Sequence, residues 1–299
     1  MAAGQAKLLG VITALVTVTI WASFLIGTRF AVSGAFTVEE VLILRLVPAA
    51  LVMTPLMIRM GVWPPRGQGW FGGFAIMFGA SAVFPYLISQ GLFYAPASDA
   101  GALAPGMLPF WTALAAFIMT GERPDRKGQA GLALILAGAL MIGLWQSLFG
   151  AHEQAWKGYL FFLSGSGLWS IYSVIYRKSG ISPAHGLVIG LFWGALLIAP
   201  VMMATGNVSF ANAGWQDIAM MIFLQSFVIA IAAMFLFSFA VSLLGAPQTA
   251  AFGALTPVLA LIGGVAFLGE EMTVTKIVGV SLVAVGVVLA SGILSGAKR

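Results

Sequence analysis

The sequence predicts an all-α integral membrane protein, with ten transmembrane helices arranged as two inverted five-helix repeats. Three observations predict it. Of 299 residues, 61% are hydrophobic and only 8% are charged, whereas soluble domains carry about a quarter charged residues. Apolar runs of about 20 residues, the length that crosses hydrocarbon, recur along the chain. A single gap-free offset of 148 residues (10 to 158, 29 to 177) also superimposes its two halves.

The apolar runs predict helices over 8–28, 39–58, 70–94, 100–120, 128–148, 157–176, 186–204, 217–243, 248–268 and 276–295. Short breaker-rich and charged connections separate them, so the helices form one bundle with no room for a soluble domain. The first run is too long for the core of a signal peptide and is followed by further spans, so it reads as a retained helix.

Orientation follows from the basic residues. With the N-terminus in the cytoplasm, Lys7, Arg59, Arg66, Arg123, Arg126, Lys127, Arg177, Lys178, Lys298 and Arg299 fall inside. Only Arg29, Lys157 and Lys276 fall outside. That asymmetry is the positive-inside pattern and places both termini in the cytoplasm. The acids Glu39, Glu40, Asp99, Glu153, Asp217, Glu270 and Glu271 fall outside, leaving Arg45 as the one ion within a span.

The offset pairs Gly10 with Gly158, Trp21 with Trp169, Arg29 with Arg177 and Pro109 with Pro257. It also pairs Gly121-Glu122 with Gly269-Glu270, Gly131 with Gly279, and Gly138 with Gly286. The chain therefore divides into repeats over 1–148 and 149–299. Each holds an odd number of helices, so the second enters the membrane from the opposite side. In secondary transporters such repeats enclose a substrate site near the bilayer midplane and exchange conformations to expose it alternately.

Several side chains could line that site. The sixth helix sets Ser166, Trp169, Tyr172, Ser173 and Tyr176 on one face, the third Tyr86, Gln90, Phe93 and Tyr94, and the first Thr13, Thr17, Trp21, Phe24 and Thr28. With Trp111 and Gln248, these read either as a neutral, aromatic binding surface or as helix packing, where small hydroxyl residues are common. Trp63, Trp70, Trp145, Trp156 and Trp215 lie at helix ends and read as an interfacial belt. Arg45 is either a partner for a substrate carboxylate or a structural clamp that snorkels outward or bonds helix-terminal carbonyls; its depth favours the clamp.

Pro105, Pro109 and Pro257 each interrupt a backbone hydrogen bond and are candidate hinges, against the alternative of a static bend. Glu122 and Glu270 stand where one helix ends and the next begins, and read as caps for the helix that follows.

The sequence also excludes chemistry. There is no cysteine, and the isolated His152 and His185 have no partner at ligand spacing, so no metal and no cofactor is expected. No basic run tracks a phosphate backbone, so nucleic acid is not a partner. No acid or histidine lies mid-span to relay protons, and no Walker motif is present, so facilitated diffusion or exchange is the simplest coupling. An intramembrane enzyme would need a nucleophile and base that this chain does not assemble. A channel is distinguished from a carrier by unsaturable flux.

The duplicated pieces resemble the drug/metabolite transporter superfamily, specifically its ten-helix exporters of two EamA-type domains. They are Trp21-Ala22-Ser23-Phe24 running to Arg29, its echo Trp169-Ser170-Ile171-Tyr172 running to Arg177, Arg45 in the second helix, and the proline, Gly-Glu and spaced-glycine pattern closing each half. Within the superfamily the chain is most similar to the aromatic amino-acid exporters of bacterial inner membranes. That resemblance implies export of amino acids, aromatic and other neutral ones, and related metabolites. A multidrug, sugar or nucleobase exporter with proton coupling is the alternative. Trp193 stands where the second half would place an equivalent of Arg45. Oligomeric state is not set by the sequence; a monomer is compatible with it.

Overall fold

The computed structural model describes residues 3–149, 154–205 and 207–293. His152, Glu153, Lys298 and Arg299 lie outside the described residues. The described chain is helical and forms α1 (Ala3–Ser33), α2 (Val38–Met60), α3 (Gly69–Tyr94), α4 (Ala97–Thr120) and α5 (Arg126–Phe149). The second half repeats the series as α6 (Ala155–Ser179), α7 (Pro183–Ala204), α8 (Trp215–Leu244), α9 (Ala246–Leu268) and α10 (Val274–Ala290). Helices are the form open to such a sequence, because every backbone polar group must be satisfied within hydrocarbon.

Local signals set the ends. Thr37 and Glu40 form a reciprocal capping box at the start of α2, Ser182 accepts from the His185 amide at α7, and Thr273 accepts from the Lys276 amide at α10. The glycines of the duplicated Gly-Glu pattern stop α4 and α9: Gly121 has φ 75° and Gly269 φ 66°, a left-handed turn that L side chains resist.

Several ends fall beyond their predicted positions, and this corrects the charge map. α4 begins at Ala97, which draws Asp99 into its first turn, and Glu39 and Glu40 in the first turn of α2 and Lys276 in that of α10 are buried as well. Arg45 is therefore not the one ion within the bundle. α1 also runs on to Ser33 and carries Arg29 in its last turns.

The repeats meet as an antiparallel pair. A Cβ on Gly131 would lie 2.6 Å from the Gly286 carbonyl oxygen, and one on Gly138 2.5 Å from that of Gly279. Since 131 corresponds to 279 and 138 to 286, each contact is the other's image, the signature of a twofold relation. Only glycine allows α5 and α10 to approach so closely. Elsewhere the halves exchange partners: α1 packs on α8 and α9, α6 on α3 and α4.

Interruptions recur at matched positions. α3 carries a π-helical turn over Gly79–Val83, and α8 one over Phe223–Ala232, which contains the image 227–231. α4 is broken between Leu103 and Leu108 around Pro105, and α9 between Phe252 and Leu255, where 253 is the image of 105. Pro109 and Pro257 stand in the first turn of the second half-helix, where proline's missing N–H does no harm.

Candidate functional site

At the two membrane faces the broken helices are held differently. One face, here the basic face, carries Arg59, Arg66, Arg123 and Arg177. On the opposite face the start of α4 is tied across the repeat boundary. Glu270 accepts hydrogen bonds from the Ala97 and Ser98 amides at 2.7 and 2.8 Å, neutralising a buried helix N-terminus. It thus caps a helix of the other half and not the one that follows it. The Lys276 Nζ lies 3.1 Å from Asp99 Oδ1 and donates to Ser98 Oγ at 2.9 Å, while Tyr159 donates to Asp99 Oδ2 at 2.8 Å. Asp99 and Lys276 are 1% and 4% exposed. Beside this tie opens a cavity of about 860 Å³, with Arg29, Asp217, Glu270, Glu271 and Lys276 in its wall.

On the basic face the image positions are Gly245, Ala246 and Pro247 for Ala97, Ser98 and Asp99, and Gly128 for Lys276. None carries a charge, and 245–248 are exposed. Glu122, the image of Glu270, instead pairs at 2.9 Å with the exposed Arg177, so it does not cap α5; Asp125 does so through the Gly128 amide. The first half of α9 packs on α1, α8 and α10, and among the described residues no comparable packing joins it to the second half of α4.

The breaks themselves also differ. The Ser166 hydroxyl on α6 lies 2.8 Å from the carbonyl freed at Ala104 and 2.8 Å from its own helix's Phe162 carbonyl, and its one proton is shared between them. The images of Ser166 and Ser170 on α1 are Val18 and Ala22, which offer no such bond. The α9 break closes only on local turns, Gly253 to Ala250 and Ala254 to Ala251.

Between the faces lie the residues singled out from the sequence. Trp169 packs on Phe84 of α3 with ring centroids 4.6 Å apart, and Trp169, Tyr172 and Tyr176 form a ladder along α6. Trp21 meets Phe237 of α8 at 5.1 Å. Trp111 Nε1 and the Tyr176 hydroxyl are buried donors with no hydrogen-bond partner among the described residues. Gln90 donates to the Tyr86 hydroxyl at 3.0 Å, and Tyr86 donates to Glu39 Oε1 at 3.4 Å.

Other members of the stripes are engaged differently. Ser173 bonds back to the Trp169 carbonyl, Ser166 holds the α4 break, and Phe93 is exposed. Gln248 lies exposed at the start of α9, away from these groups. The five tryptophans read as a belt are all exposed on the bundle's exterior.

Arg45 takes neither of its two expected clamp positions. Its Nη1 donates to Gln225 Oε1 at 3.3 Å and its guanidinium lies 5.0 Å from the Phe24 ring centroid, while Gln225 Nε2 donates to Thr28 at 2.9 Å. Arg29 is the clamp on helix-terminal carbonyls, donating to those of Leu92 and Phe93. Gln225, Glu39, Asp99 and Lys276 are the polar residues that sequence reasoning missed. The signals were a lone amide amid the apolar α8 run, and a second glutamate in a first turn where one completes the cap.

Fold and site together define a multi-pass membrane protein of two inverted repeats with discontinuous helices at equivalent positions. Residues 8–144 and 156–292 each match the model of the EamA-like transporter family. The chain belongs to that family. It is 28% identical over 202 residues to the uncharacterized transporter YyaM of Bacillus subtilis (strain 168), covering 65% of this chain and 64%, less than two thirds, of that protein. It is 29% identical over 223 residues to a probable amino-acid metabolite efflux pump of Salmonella typhimurium, covering 72% of this chain and 73% of that one. A crystal structure matches over 100% of both chains with a TM-score of 0.63 at 17% identity, a likeness of fold.

Proposed function

We propose that this chain is a secondary transporter that exports amino acids and related small metabolites across the bacterial inner membrane by alternating access, with both termini in the cytoplasm. The observation that carries the proposal is the pair of helices broken at image positions, tied at one face and separate at the other. Discontinuous helices in corresponding places of inverted repeats mark the moving parts around a central site. The tied face is the one opposite the basic residues, so the positive-inside pattern makes it the outer face.

Family membership and the name of the Salmonella relative support an amino-acid metabolite as cargo. The side chains support a small solute with an apolar or ring portion. Trp21, Trp111, Trp169 and Tyr172 supply aromatic surface, Tyr86, Gln90, Ser173 and Tyr176 neutral hydrogen bonds, and Arg45 a charge for a carboxylate. Gln248 stands at the entrance. Pro105, Pro109 and Pro257 mark the joints about which the half-helices move. Facilitated diffusion or exchange is the simplest coupling.

Reconstituted vesicles loaded with labelled neutral amino acids test this. Efflux that saturates and is accelerated by counter-solute supports a carrier. Flux that never saturates indicates a channel, and transport of sugars, nucleobases or cationic drugs to the exclusion of amino acids sinks the substrate assignment. In the same assay Trp169→Ala and Gln90→Ala are expected to alter KM while the protein remains monodisperse.

A further inference from the structure

Adjacent glutamates at the start of α2 have different surroundings. Glu40 is saturated: Oε2 accepts from the Thr37 amide at 2.9 Å, and Oε1 from the amides of Ser209 and Phe210. It closes the helix cap and pins the connection between α7 and α8. Glu39 has one hydrogen bond, from the Tyr86 hydroxyl, and that bond is long at 3.4 Å. The residue is nonetheless only 9% exposed, in the first turn of α2.

Six residues along the same helix stands Arg45, whose recorded contacts are a 3.3 Å bond to a neutral amide and a phenyl ring. No ion pair joins either residue to any partner among the described residues. An isolated charge in a membrane interior is costly, and is retained where a function needs it. Arg45 stands about two turns into α2, and Glu39, of opposite sign, is buried in the first turn of the same helix.

Their supports are oriented. Gln90 donates to Tyr86 and Tyr86 to Glu39, so the first relay ends on an anionic acceptor. Arg45 donates to Gln225 and Gln225 to Thr28, so the second begins on a cationic donor. Six residues of helix separate the two Cα atoms by about 9 Å along the axis. Both lie in the half of the membrane that holds the Asp99–Lys276 tie.

We propose that Glu39 is the ammonium-binding residue of the transport site and acts with Arg45 as a matched pair for a zwitterion, so that the cargo is an α-amino acid carrying both charges. The inference rests on the transport reading above and adds to it a residue and a charge pattern. Each protein charge finds in the substrate the partner it lacks in the bundle. The aromatic groups of α3 and α6 then face the side chain of the amino acid.

Three probes of one shape separate the charges: phenylalanine, phenethylamine without the carboxylate, and hydrocinnamate without the ammonium. Uptake of each into vesicles containing purified protein is measured for wild type, Glu39→Gln and Arg45→Gln. Glu39→Gln is expected to raise KM about tenfold or more for phenylalanine and phenethylamine, the loss of one charge-assisted hydrogen bond, with hydrocinnamate unchanged. Arg45→Gln is expected to do the converse, weakening phenylalanine and hydrocinnamate and sparing phenethylamine.

Equal losses for all three probes in Glu39→Gln, or no loss for any, overturn the assignment, since a structural role cannot discriminate among them. If Glu39→Gln is not recovered as monodisperse protein, Tyr86→Phe, which removes the bond aiming Glu39, gives the same discrimination: a shift confined to the two ammonium-bearing probes is expected, and a parallel shift in all three overturns the assignment. A wild-type protein that carries none of the three overturns the aromatic amino-acid cargo of the transport reading, on which the assignment rests.

Discussion

The start of α4 and the start of α9 occupy image positions in the two repeats and have opposite surroundings. The first is buried, capped by Glu270 and anchored through Asp99 to Lys276 and Tyr159. The second is exposed, with Gly245-Ala246-Pro247 in place of Ala97-Ser98-Asp99. Duplication supplies two equivalent frames, and a few substitutions give one of them a lock. The difference teaches that a symmetric architecture need not have symmetric energetics: the tied face is stabilised by interactions the other face has no residues to form.

The largest expected effect breaks the lock. Lys276→Met leaves Asp99 as a buried carboxylate without its cation, which costs about 3–5 kcal/mol. The thermal midpoint should fall, and a cysteine introduced at Ala100 should become reactive from the opposite face. The chain has no cysteine of its own to confuse that labelling. Asp99→Asn combined with Lys276→Met should recover much of the loss; unchanged labelling in the single variant would remove the lock from the argument.

Next in size are the twofold-related glycine contacts, where the two halves are expected to behave alike. Gly138→Ala and Gly286→Ala each push a methyl group against a backbone carbonyl oxygen, at 2.5 and 2.6 Å. Each should destabilise by about 1–3 kcal/mol, and their thermal midpoints should agree. Gly143→Ala meets nothing within 4 Å and should be neutral or slightly stabilising through helix propensity. Unequal losses at 138 and 286 would show that the asymmetry extends to the α5–α10 seam.

A smaller effect sharpens the contrast between the breaks. Ser166→Ala releases the Ala104 carbonyl, a loss of about 1 kcal/mol, and hydrogen exchange around 104–108 should rise toward that around 252–256. If the two segments already exchange equally in the wild type, Ser166 does not hold the α4 break. The smallest effect belongs to Glu122→Gln. Its pair with Arg177 has side chains 57% and 59% exposed, so removal should cost under about 1 kcal/mol and leave the thermal midpoint unmoved.

Much of the fold was legible because hydrophobic length and glycine placement are local properties. The ten apolar runs, Gly121 and Gly269, and the pairing of 131 and 138 with 279 and 286 are read directly along the chain. The candidate site was legible by residue type and less so by partner. Trp169, Tyr86 and Gln90 stood out on helical faces, yet nothing in the spacing of α3 announces that Tyr86 donates to Glu39. Glu39 and Glu40 look alike in sequence; one position of helical phase sends the second to a backbone cap and the first to Tyr86. Glu270 was read as the cap of its own neighbour because adjacency is visible and a contact 173 positions away, at Ala97, is not.

By itself the sequence determined that this chain is a ten-helix membrane protein, that its halves are inverted copies, and that glycines stop α4 and α9, because burial in lipid and backbone conformation depend on residues near in the chain. Only the tertiary structure decided that Asp99 meets Lys276, that Arg45 has no acidic partner among the described residues, and that the start of α4 is tied while that of α9 is exposed. Those outcomes depend on the distance between side chains on different helices, which falls with the packing of the whole bundle and leaves no local trace.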